Sequence, residues 1–170
     1  IREGGDSPEL YFEAAMRAHN LGMYELLVSY LNTFLERYPP TQWVYYYLAI
    51  GLLETKKFNE ALEAIKKEIA EFKGEGIHIE SIVAAANAQL GNHSVAAKAV
   101  EKSLKMSLSD IDDLTSEGVS SALERLWRAA KVMGNKVLIS KMESRLLCSG
   151  FAPEEYFVEQ RASQKPKDLN

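Results

Sequence analysis

The sequence predicts an all-helical protein assembled from antiparallel helix pairs in series. Apolar residues recur at helical spacing, as at Phe58, Ala61, Leu62, Ile65 and Ile69, and nothing alternates with period two for long. Glycines and prolines fall at helix-length intervals, as at Gly22, Pro39, Gly74, Gly91 and Gly134. The pairs also recur. With Gly22, Lys56, Gly91 and Gly134 taken as the turns inside successive pairs, the intervals are 34, 35 and 43 residues.

Each element has its own signal. Ser7-Pro8-Glu9 reads as a helix start: a capping hydroxyl, a proline tolerated in the first turn, and an acid at the positive end of the dipole. That helix covers 8–20, with Leu10, Tyr11, Ala14, Ala15 and Ala18 on one face. A second covers 23–37 and ends at Tyr38-Pro39-Pro40. The third covers 41–55, because Leu48, Ala49 and Leu52 give its strand-like aromatic opening a helical continuation. The fourth covers 58–72, with Ala61 at a close helix contact and Ala64 nearer solvent, and stops before Lys73-Gly74. Four more are expected over 78–90, 92–106, 116–133 and 135–148, and a last one starts at Pro153. Residues 1–7 read as a lead-in, and 151–170 as this helix start with a polar tail.

Composition narrows the function classes. A chain of 170 residues, 46% hydrophobic, suits one domain with a core of its own. A net charge of −4 gives no general attraction to nucleic acid or anionic membranes. No apolar run approaches the ~20 residues of a membrane span, and no secretory leader pattern opens the sequence. The single cysteine, Cys148, makes no internal disulfide and is expected to be a buried or half-buried thiol. Together these give a cytoplasmic expectation.

Catalytic chemistry is not expected. His19, His78 and His93 fall on separate helices without metal-ligand spacing. Asp110, Asp112 and Asp113 suggest a calcium loop, but Leu114, Thr115 and Ser121 occupy the places that need a ligand, a glycine and a glutamate. No phosphate-cradling or nucleophile motif occurs. No cofactor and no metal are therefore expected.

The 34-residue period and the residues at matching places resemble the tetratricopeptide (TPR) repeat family. In that family, small residues on paired helices meet, an aromatic opens the second helix, and a proline often follows it. The first unit, about 8–41, offers Ala15, Gly22, Tyr24 and Pro39, with Leu27 where an alanine is expected. The second, 42–75, offers Ala49, Phe58 and Ala61; the third, 77–110, offers Ala84, Gly91, His93 and Ala96. The fourth, 116–150, keeps Leu126 and Gly134 but has Trp127 and Ile139 for the small residues, as a degenerate or capping pair would.

The resemblance implies an α-solenoid over 8–150: a right-handed superhelix of antiparallel pairs whose first helices line an inner wall. That wall would carry Phe12 and Met16, then Trp43, Tyr46, Tyr47 and Ile50, then Arg125, Arg128 and Lys131. Trp43, Tyr46 and Ile50 are expected to face the concavity, with Tyr47 between two faces. Aromatic and arginine side chains dominate binding energy at interfaces. The implied function is a protein-interaction module or scaffold that binds a peptide or helix of a partner protein. Two alternatives stand beside it: the non-catalytic part of a larger enzyme, such as a glycosyltransferase, and a helical-repeat RNA binder. The carboxylate clamp of TPR co-chaperones is not expected, because Phe12, Met16, Tyr47, His78 and Ile82 occupy its places.

Overall fold

The computed structural model describes residues 7–107, 116–150 and Tyr156. The lead-in before Ser7, the Asp110–Asp113 run and the start at Pro153 lie outside the described residues. Among the described residues there are eight helices and no strand: α1 Pro8–Asn20, α2 Tyr24–Arg37, α3 Val44–Glu54, α4 Phe58–Phe72, α5 Ile77–Gln89, α6 His93–Leu104, α7 Ser116–Val132 and α8 Lys136–Ser149. None is long and apolar enough to cross a membrane.

Capping sets the ends. The Ser7 hydroxyl accepts from the Leu10 N–H at 3.4 Å, and the Asn135 side chain accepts from the Leu138 N–H at 3.1 Å. The four turns within pairs share one hydrogen-bond pattern. Met23, Lys57, Asn92 and Asn135 each donate their N–H to the carbonyl five residues back, at 2.8, 2.8, 2.9 and 3.2 Å. This is the Schellman closure, which requires a left-handed residue just before the donor. Gly22, Gly91 and Gly134 supply it at φ 68, 77 and 65, and Lys56 supplies it at φ 63. α3 starts at Val44, later than expected, because Trp43 itself is left-handed at φ 76 and cannot continue a right-handed helix.

α1 packs on α2, α3 on α4, α5 on α6, and α7 on α8. Successive pairs join through α2 on α3, α4 on α5, and contacts of α1 with α3, α3 with α5, and α5 with α7. Two hydrophobic cores result. One holds α1 to α4 and the Ile79, Ile82 and Ala86 face of α5; the other holds the Ile77, Ala84 and Ala88 face with α6 to α8. α5 is thus buried nearly all round. Across the α2–α3 joint, a Cβ on Gly51 would lie 2.7 Å from Val28 Cγ2, so only glycine fits without a shift. At the far end, Arg145 of α8 donates through Nη1 to the Leu104 carbonyl at 2.7 Å and through Nη2 to that of Met106. A cation there suits the negative end of α6.

Ala15, Ala49, Ala61, Ala84 and Ala96 have no exposed surface. In the fourth pair a fully buried Trp127 fills the space instead. Two sequence expectations are corrected. Cys148 is exposed, because the last turn of α8 turns it away from the core. Ala64, which helical phase places nearer solvent, is 5% exposed, because α2 and α3 flank that side of α4. It lines an open groove of about 550 Å³ between these helices, which leaves room for a larger side chain. Ala61→Leu is therefore expected to lower stability by about 1–3 kcal/mol, and Ala64→Leu by less. Chemical denaturation measures both, and equal losses would contradict the difference in packing.

Candidate interaction face

The face begins where α3 begins. No side chain of its own caps this helix, and Glu68 of α4 supplies the acceptor: its Oε1 takes the Trp43 N–H at 2.8 Å. Glu68 is 1% exposed. Burial pushes its carboxyl above the ordinary glutamate value, against the backbone N–H groups of Trp43, Tyr46 and Tyr45, and the charge of Glu71 adds to the rise. A carboxylate from one helix therefore fixes the start of the next, and with it the aim of the aromatic run.

That run splits into two groups. Trp43 and Tyr46 turn toward α5, where the His78 ring lies 4.8 Å from Trp43 and 5.3 Å from Tyr46. Tyr46 and Ile50 are each 3% exposed. The expectation that both stand on an open wall is thus corrected: α5 covers them, and an arginine of α7 caps the Tyr46 hydroxyl. Trp43 is half-buried. Tyr47, also half-buried, turns to α1, where its ring lies 6.2 Å from Phe12 and 5.3 Å from His19. Met16 is half-buried on the same helix. His19 lies 6.5 Å from Tyr24, which opens α2. The Tyr47 hydroxyl is pushed above its ordinary value by burial and then by Tyr46.

The three basic residues of α7 also separate. Arg125 donates through Nε to Ser81 Oγ at 3.2 Å and through Nη2 to the Tyr46 hydroxyl at 3.1 Å, joining α7, α5 and α3. Arg128 pairs with Glu124 at 2.6 Å, and the Lys131 ammonium sits 4.3 Å from the centre of the Trp127 ring. Arg128 is thus ion-paired, whereas Arg125 is held by neutral hydroxyls. The Tyr24 hydroxyl is pushed up by burial first and by Glu54, with Arg125 acting in the opposite direction.

Between these groups lies a pocket of about 170 Å³, with Leu53, Phe58, Ala85 and Val132 as apolar lining and Arg125 and Arg128 among its polar residues. Arg125, Arg128, Ala129 and Val132 form one helical stripe and all line it. Arg125 and Arg128 are expected from the sequence as charges; Ala129 and Val132 join them here through the i, i+4, i+7 spacing of the same helix. No group of three or more His, Cys, Asp or Glu that could hold a metal ion occurs among the described residues. No family model matches the chain, and comparison with characterised proteins gives no significant match.

Proposed function

We propose that this protein is an interaction module: an array of TPR-like helix pairs, wound as a right-handed superhelix, whose inner face receives a peptide segment or helix of a partner protein. The pocket between α3, α5 and α7 carries the reading. Its volume of about 170 Å³ is close to that of a ~150 Å³ apolar cavity that accepts benzene. One leucine- or phenylalanine-sized side chain is the matching occupant. The half-exposed ridge of Phe12, Met16 and Tyr47 on α1 and α3 extends the surface beyond that anchor.

Val132 lines the pocket and is exposed, so Val132→Trp obstructs it with little strain on the core. Peptides selected on the wild-type protein from a random-sequence display library are expected to bind this variant about 30-fold more weakly, the equivalent of a ~2 kcal/mol anchor. Wild-type affinity in a variant with an unchanged melting curve would remove the pocket from the function.

A further inference from the structure

We infer that the peptide received by this face carries an aspartate or glutamate next to its apolar anchor, and that Arg125 receives that side-chain carboxylate. The inference rests on the interaction reading and starts from Arg125 itself. Both groups that hold its guanidinium, the Ser81 and Tyr46 hydroxyls, are neutral. No carboxylate lies within the 4.0 Å of an ion pair among the described residues. Arg17, Lys66, Lys102 and Arg128 each have such a partner, and all four are more exposed than the half-buried Arg125. Partial burial removes water from a cation, and here no internal counter-charge at contact distance replaces it.

The placement favours a carboxylate as the missing group. Arg125 lines the apolar pocket, so an acid adjacent to the anchor comes within its reach. Its two hydrogen bonds, to helices α5 and α3, fix the guanidinium plane in advance, which lowers the ordering cost of a two-pronged contact. A guanidinium has five N–H donors in a rigid fork, and two are used here. Charge-assisted pairs of this kind are about twice as strong as neutral ones. Glu54 shares the pocket but lies outside ion-pair distance, so it leaves the position open and disfavours peptides that carry two acids.

The test uses peptides selected from random-sequence libraries on the full chain. They are synthesised with blocked C-termini, and then with each acid changed to its amide. On wild type, the acid next to the anchor is expected to be worth about tenfold or more in Kd. On Arg125→Met that preference is expected to shrink to about twofold or less, with the anchor still binding. Arg125→Lys, which keeps charge without the fork, is expected to fall between the two; it also serves if the methionine variant does not fold. Selected peptides without an acid beside the anchor, or an equal loss on wild type and variant, would overturn the inference. So would a requirement for a free C-terminal carboxylate in place of the side chain. In each of those cases continued sensitivity to Val132→Trp leaves the interaction reading intact, whereas binding indifferent to Val132→Trp removes both.

Discussion

Replacing Trp127 by alanine is expected to cost about 3–5 kcal/mol and to loosen the second half of the chain before the first. Trp127 is 0% exposed and packs in the core that also holds Leu123, Leu126, Leu138 and Met142. Two further groups close over it: the Lys131 ammonium, 4.3 Å from the ring centre, and the Tyr156 ring at 6.4 Å. The loss is expected to be largely local because, among the described residues, α5 is the helix that contributes to both hydrophobic cores, with the Arg125–Tyr46 hydrogen bond as a polar link between α7 and α3. In the proposed array of helix pairs, stability would be close to a sum over units and neighbour interfaces. Hydrogen exchange is the measurement: amides of α7 and α8 should lose protection while those of α2 and α3 keep it. A uniform loss would mean that the chain unfolds as one unit. Trp127→Phe is expected to cost much less. The buried Nε1–H has no hydrogen-bond partner among the described residues, so its removal leaves no acceptor there stranded.

Glu68 gives the second large effect, with a sign that depends on the substitution. Glu68→Ala removes the acceptor at the start of α3 and leaves the part-buried Trp43 N–H unpaired. The expected loss is about 2–3 kcal/mol. Glu68→Gln keeps an acceptor and removes the buried charge. Because burial raises the folded-state pKa, the native protein holds this proton more tightly than the unfolded chain does. The stabilisation that this carboxyl contributes is therefore full below the ordinary value of about 4.3 and is lost as pH rises through the raised folded value. Relative to wild type, Glu68→Gln is expected to gain stability over that same rise. Urea melts of both proteins across the window check it, and a difference that ignores pH would show that Glu68 does not titrate there.

The helices were legible because their signals are local. Ser7-Pro8-Glu9 and the double proline at 39–40 act on their own neighbours through backbone geometry and hydrogen bonds within one turn. Lys56 was legible for another reason: the spacing to Gly22 and Gly91 placed it at a turn, and it takes φ 63 where they take φ 68 and 77. The start of α3 was missed because its cap lies 25 residues away on α4. Tyr46 was missed in the same way. Helical phase put it on the face away from α4, but phase does not say which later helix covers that face, and α5 and Arg125 do.

The amino-acid sequence alone therefore determined an all-helical chain, the helix pairs and the turns between them, because capping, periodicity and left-handed turn positions operate over a few residues. It also named the residue types that meet on the candidate face. Only the tertiary structure decided which of them stay accessible: Tyr47 half-exposed, Tyr46 and Ile50 buried, Lys131 spread over Trp127, and Arg125 held by two hydroxyls with no carboxylate in ion-pair range among the described residues. Burial and charge pairing depend on groups from helices distant in sequence, and those distances exist only once the pairs have packed.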